Sequence, residues 1–305
     1  MIKRGHFLFT IFLLISATAC SMKDPNPIYI HCKIQDNYPS GSTISYLGGR
    51  FYIMGDDASE ILILNELLEE KERVQIFPKG ENIRTPKLIK ADIEASLTMN
   101  HNGRGSILFL GSGSLTPHRD SAFLFDPQNK GFERIDFTKF YDELRTNFKQ
   151  LNIEAATMIG GDFALGIRGN GSYPDNYIVL ASSDIFSPEF KRKILVRLPV
   201  EHAGISGMDY DKQHDHLFIT FSSESTFNAF DDGKIGESYL AIISEATQKL
   251  QNRELTINSL TKLTDLSADF KYQKIESVSL INGKRELLLV ADDDRGNTKL
   301  FTLGF

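Results

Sequence analysis

The chain has 305 residues, 41% of them apolar, which is enough to bury a sizeable core without covalent staples. Its 34 basic and 40 acidic side chains leave a formal charge of −6, with no basic face to offset it, which argues against a nucleic-acid partner.

The first residues combine Lys3 and Arg4 with an apolar run from Phe7 to Ile15 and the small residues Ser16-Ala17-Thr18-Ala19 before Cys20. That run is too short for a membrane span, which needs about 20 apolar residues, and reads as a secretory signal over residues 1–19. A cysteine placed directly after small residues resembles a bacterial lipoprotein signal, with Ala17 where that pattern usually has leucine. The resemblance implies cleavage before Cys20, lipidation of Cys20 and attachment to a membrane through acyl chains, each buried methylene contributing about 0.8 kcal/mol. An ordinary cleaved signal would instead leave Cys20 as a free thiol. On the lipoprotein reading, loss of Lys3 and Arg4 takes the formal charge from −6 to −8. Cys32 is then without a second thiol, so no disulfide is expected. Residues 20–27, polar and with Pro25 and Pro27, form a tether. The expected location is the cell envelope, extracytoplasmic and lipid-anchored, with a monomeric domain over residues 28–305.

After the tether, Ile28 to Ile34 is a strand-like run with no neighbour in sequence to pair with. Beyond it one pattern occurs five times. A first run carries isoleucine followed by serine or glutamate: Ile44-Ser45, Ile93-Glu94, Ile153-Glu154, Ile205-Ser206 and Ile275-Glu276. A second, apolar run follows at Phe51 to Met54, Ile107 to Leu110, Phe163 to Ile167, Leu217 to Phe221 and Leu287 to Ala291. A third run lies at Ile61 to Leu64, Ser121 to Phe125, Tyr177 to Leu180, Tyr239 to Ile243 and Lys299 to Leu303. The first four copies gain a fourth strand, at Val74 to Phe77, Phe132 to Phe137, Lys193 to Leu198 and Leu255 to Leu260. The fifth copy ends at Phe305 without one. The economical solution is an all-β fold, a five-bladed β-propeller in which Ile28 to Ile34 supplies the missing outer strand and closes the ring. An open sandwich accounts for alternating strands equally well, but not for the orphan strand. One helix interrupts the pattern, with Phe140, Tyr141, Leu144 and Phe148 on a single face, either a lid over the channel or a packed connection.

In a propeller the start of each first strand and the end of each second strand meet at one mouth of the central channel. That geometry gathers Glu94, Glu154 and Glu276, with Ser45 and Ser206 from the remaining blades, beside Asp56, Asp57, Arg168, Ser222, Glu224, Asp292, Asp293 and Asp294. At about 7 Å and an effective dielectric of about 20, each pair of like charges costs roughly 2 kcal/mol. A bound cation, with Ca2+ as the candidate, an arginine such as Arg168, or protonation of a carboxyl group would offset that cost. Alternatively, the glutamates accept backbone hydrogen bonds and staple the ring.

Other motifs carry less. Asp292-Asp293-Asp294-Arg295-Gly296-Asn297 has clustered oxygens but lacks EF-hand spacing, and aspartates before glycine also make plain turns. Gly111-Ser112-Gly113-Ser114 with His118 and Arg119 offers donors for an anion, without a P-loop or dinucleotide fingerprint. His214-Asp215-His216 falls in a turn at the opposite face from the acidic mouth. No Gly-x-Ser-x-Gly elbow or His-Glu-x-x-His helix occurs.

Asn152-Ile153-Glu154-Ala155 leading to Gly166-Ile167-Arg168-Gly169-Asn170, and Lys274-Ile275-Glu276-Ser277 leading to Val290-Ala291-Asp292-Asp293-Asp294, resemble the phytase-like or esterase-like group of bacterial β-propellers. The whole mature chain is similar to an uncharacterised family of secreted propellers related to that group, with Ala95, Ala155 and Ser277 where such relatives carry glycine. The resemblance specifies blades more closely than chemistry. Two functions follow: a propeller that binds a small polar ligand or an envelope protein at its acidic mouth, and a phosphoesterase- or esterase-like hydrolase, with calcium as its candidate cofactor.

Overall fold

A computed structural model describes residues 26–78, 84–224, 228, 233–292 and 297–305. β1 (Ile28–Gln35) stands alone at the start. Blade one is β2 (Gly41–Leu47), β3 (Arg50–Gly55), β4 (Glu60–Asn65) and β5 (Glu70–Gln75). Blade two is β6 (Ile93–His101), β7 (Arg104–Gly111), β8 (Ala122–Asp126) and β9 (Gly131–Ile135), followed by α1 (Thr138–Asn147). Blade three is β10 (Ile153–Ile159), β11 (Asp162–Ile167), β12 (Asn176–Ser182) and β13 (Phe190–Arg197). Blade four holds β14 (Ala203–Asp211), β15 (His216–Glu224) and β16 (Ile235–Ile243), after which come β17 (Glu254–Thr256) and β18 (Thr261–Lys262). Blade five is β19 (Lys274–Leu280), β20 (Glu286–Asp292) and β21 (Thr298–Gly304).

The innermost strands touch in the cyclic order β2, β6, β10, β14, β19 and back to β2, so five sheets surround one channel as a β-propeller. Each blade is sandwiched between two others, and the second strand is therefore buried on both faces. That explains why Ile107 to Leu110 or Leu287 to Ala291 reads as a continuous apolar run instead of an alternating one. The outer strands face water on one side and carry charge, as in the Glu70–Gln75 segment EKERVQ. Four buried apolar clusters fill the clefts between blades.

β1 closes the ring as its sequence predicts. It runs antiparallel to β21 from Ile28 opposite Gly304 to Gln35 opposite Thr298, and the sheet order is β1-β21-β20-β19. Tyr29 meets Phe270 edge-on at 5.8 Å, and Phe270 stacks on Phe301 at 4.3 Å, which fixes the joint in the core.

The outer strand of blade four differs from expectation. β17, which overlaps the start of the expected Leu255 to Leu260 run, adds to blade three instead, running parallel to β13 with Leu195 opposite Glu254. Blade four is completed by β18, where Thr261 faces Leu240. Leu255 and Ile257 are drawn into the apolar cleft that also holds Ile194 and Val196, whereas Thr261 and Lys262 stay half-exposed. The helix α1 is a packed connection rather than a lid: Phe140, Tyr141 and Leu144 are buried, and the Tyr141 hydroxyl donates to the Gly111 carbonyl at 2.8 Å.

Candidate functional site

Every innermost strand begins with the same irregularity. The ladder to the second strand slips between Gly41 and Thr43, Ile93 and Ala95, Ile153 and Ala155, Ile205 and Gly207, and Ile275 and Ser277. The skipped residues are Ser42, Glu94, Glu154, Ser206 and Glu276. A β-bulge releases one residue from the ladder and re-aims its side chain, and here it turns Ser42 and the three glutamates into a well at the channel mouth.

Blade one thus presents Ser42, not Ser45. Thr298 of blade five crowds the place where other blades have isoleucine: a β-carbon on Gly41 would lie 2.6 Å from Thr298 Cγ2. The bulge therefore follows a glycine, and Ile44-Ser45 lies farther down the channel. The Ser45 hydroxyl meets that of Ser96 at 2.9 Å and lines a 70 Å³ cavity at the opposite end with Asp209 and Ser279. Ser206 stays below the well, donating to Thr220 Oγ1 at 3.2 Å.

The well has a volume of about 160 Å³, and its lining includes Glu94, Glu154, Glu276, Arg168, Asp56, Asp57 and Asp292. Asp294 and Asp293 lie outside the described residues, as does Cys20. Eight carboxyl groups and six cationic side chains share the lining among the described residues. Lys90, Asp92 and Arg84 are additions to the residues the sequence singled out, and Arg119 and Asn152, which it read in an anion-binding loop and a blade motif, join the same well. Asp92, Asn152 and Lys274 each stand two residues before a bulged glutamate, a spacing that would have marked them.

On one side the Lys90 ammonium bridges Asp56 Oδ2 and Asp92 Oδ1, the latter at 2.7 Å. Asp92 Oδ2 also accepts from Arg119 Nη1 at 2.7 Å and from Ser112. The donors of Ser112, Ser114 and Arg119 therefore serve the chain's own carboxylate rather than an anion. Burial opposes the charge on Lys90, but Asp56, Asp92 and Glu94 outweigh it and raise its pKa. Glu94 goes well above its ordinary value, through burial and then the neighbouring Asp92, Glu154 and Asp56. Asp57 is raised by burial and by Asp56, against Arg84 Nε at 2.5 Å.

On the other side Lys274 Nζ lies 3.1 Å from Glu276 Oε1 and 3.2 Å from Glu224 Oε2. Arg168 Nη1 is 3.8 Å from Glu154 Oε2, and its Nη2 is 3.5 Å from Glu224 Oε2. Glu154 Oε1 accepts from Asn152 Nδ2 at 2.6 Å. Burial pushes Glu276 up to about 8, with Lys274 and Arg168 pulling against Glu154 and Asp292. Glu224 is held below its usual value because Lys274 and Arg168 overcome its burial. The repulsion expected at the mouth is thus offset by internal ammonium and guanidinium groups together with raised carboxyl pKa values.

Asp56, Asp92 and Glu94 offer oxygens all within 4.8 Å of one another and could hold a metal ion. An ion there would meet the Lys90 ammonium already on two of the three. Only one of the three bulged glutamates belongs to that set. His214 does not contribute; its Nδ1 bonds Asp211 Oδ2 at 2.6 Å in the turn at the far end of blade four.

Among solved structures, the chain is similar to a glutaminyl cyclase of Myxococcus xanthus at 10% identity, with 91% of this chain and 96% of that one covered and a TM-score of 0.53. It is also similar to an arabinanase, Arb43A, of Bacillus subtilis, at 12% identity, 88% and 95% coverage and a TM-score of 0.49. A third similarity is to the β-propeller domain of Cps50 (Swd1) of Myceliophteria thermophila, at 14% identity, 85% and 64% coverage and a TM-score of 0.37. Identity this low carries the fold alone. No curated protein matches the chain by sequence. One family model matches residues 37–304, all five blades, and the chain belongs to that family, the family of unknown function DUF6929.

Proposed function

We propose that the protein is a lipid-anchored, extracytoplasmic propeller that binds a small polar ligand at the acidic mouth of its channel. Three buried carboxyl oxygens carry this reading: Asp56 Oδ1, Asp57 Oδ1 and Glu276 Oε2 have no hydrogen-bond partner among the described residues, yet all three residues line one well. A buried polar atom left unpaired costs about 1–3 kcal/mol, so a ligand rich in N–H or O–H donors is the natural complement. The anchor rests on the Lys3-to-Cys20 segment, with residues 20–27 as tether and 28–305 as the domain in the cell envelope. Thermal unfolding with a panel of small polyols and amines tests the site. A ligand at 100 times its Kd should add about 2.7 kcal/mol, and Glu276→Gln or Glu94→Gln should abolish the gain. Metabolic labelling with a radioactive fatty acid, lost in Cys20→Ser, tests the anchor.

A second reading, a hydrolase of phosphate or carboxylic esters, is favoured by one observation. Glu276 is pushed up to about 8 while neighbouring Glu154 is held by Asn152 and Arg168, so two carboxyl groups in unlike settings could divide acid and base roles. Asp56, Asp92 and Glu94 would hold the calcium, and the likeness to phytase-like or esterase-like propellers supplies the ester class. Absence of turnover on generic phosphate and acyl esters, with and without calcium, would discard this reading.

A further inference from the structure

The strongest unassigned feature lies beside the mouth, on blade three. A cavity of about 280 Å³ is walled by Phe148, Tyr173, Tyr177, Lys149 and Lys193, and Arg168 separates it from the central well. Its electrostatics are the reverse of the well's. There Lys90, Lys274 and Arg168 each meet carboxylates within 4 Å. Here no ion pair engages Lys149 or Lys193 among the described residues.

Ring faces hold them instead. Lys193 Nζ sits 5.0 Å from the Phe148 centroid and 5.3 Å from that of Tyr177, and it donates to the Asn147 carbonyl at 3.1 Å. Lys149 Nζ lies 5.8 Å from the Tyr173 centroid. Cation–π contact orients an ammonium without neutralising it, so the charge remains available to an anion. Asp175, the one acid in the wall among the described residues, accepts from the Tyr177 hydroxyl at 3.3 Å. Tyr173 is 40% exposed, and Pro174 and Ile167 extend the apolar surface beside it.

We propose that this cavity is a second binding site, separate from the central well, for a ring that bears an acidic group, with the anion between Lys149 and Lys193 and the ring against Tyr173. A sugar phosphate and an aromatic phosphate share that chemistry. Calorimetric titration of the full domain with glucose 6-phosphate, phenyl phosphate and inorganic phosphate separates them. One of the two ring phosphates should bind at least about tenfold more tightly than inorganic phosphate, and whichever binds more tightly identifies the ring. Raising salt from about 50 to 500 mM should weaken binding. Lys193→Gln should lower affinity about tenfold, and Lys149→Gln, at an exposed side chain whose loss does not threaten folding, should do likewise. Glu276→Gln should leave it unchanged, which separates this site from the one in the channel mouth. The proposal is overturned if neither ring phosphate binds at about 10 mM, if inorganic phosphate binds as well as both, or if neither lysine substitution changes the affinity.

Discussion

A β-carbon on Gly204 would lie 2.4 Å from Cγ of Arg168, so the bare backbone of blade four is what lets the guanidinium of blade three reach across the cleft. Once across, Arg168 Nη2 donates to the Ser222 carbonyl at 3.0 Å and meets Glu224, while Nη1 faces Glu154. Gly204 occupies the place where the other blades carry Ser40, Asp92, Asn152 and Lys274. Gly204→Ala should expel Arg168 and strand Glu154 and Glu224 without their counter-ion, at about 3 kcal/mol in urea unfolding. A change below about 0.5 kcal/mol would mean that the arginine is not held there.

Ring closure rests on β1. Without it the edge of β21 is bare over its whole length, from Thr298 to Gly304, and Phe270, which stacks on Phe301, loses the Tyr29 ring. Deleting residues up to Gln35 should lower the melting temperature by more than about 10 °C and promote association through the open edge. An unchanged melting curve would show that the four remaining joints suffice.

Architecture was legible because its physical demands repeat. Central strands buried on both faces must be continuously apolar, and a count of four strands per blade left one gap and one orphan, Ile28 to Ile34. Register in blade one was not legible, since isoleucine-serine at Ile44-Ser45 imitates the pattern while the true bulge at Ser42 follows a glycine selected by Thr298, 257 residues away. Counter-ions were hidden for the same reason. Lys90 lies in a loop, and nothing local announces that its ammonium faces Asp56, 34 residues earlier.

The raised carboxyl group gives a signed pH dependence. Glu276 has an ordinary value of 4.5 and is pushed up to about 8 in the fold. Below pH 4.5 both folded and unfolded chains carry its proton, and its contribution to stability is fully present. Between 4.5 and 8 the unfolded chain releases the proton while the fold retains it, so stability falls as pH rises, and above 8 the loss is complete. Glu276→Gln removes that term. The urea midpoint of the variant relative to the parent should therefore rise steadily from pH 4.5 to 8. A difference that stays constant would mean that Lys274 keeps Glu276 ionised throughout.

Lys90 decides whether the mouth needs a metal. Its ammonium already lies against Asp56 and Asp92, the oxygens that with Glu94 lie within 4.8 Å of one another. A divalent ion entering the parent protein must displace it, so millimolar calcium or a chelator should move the melting temperature little. Lys90→Met removes the ammonium from Asp56 and leaves Asp92 with Arg119 alone, which should cost about 3 kcal/mol at neutral pH. Calcium should then substitute for the lost ammonium, recovering about 2.7 kcal/mol at 100 times its Kd, by differential scanning calorimetry. Strong stabilisation of the parent by calcium would instead mean that Lys90 swings out when the ion arrives, and the calcium-dependent hydrolase would then become the better reading of the well.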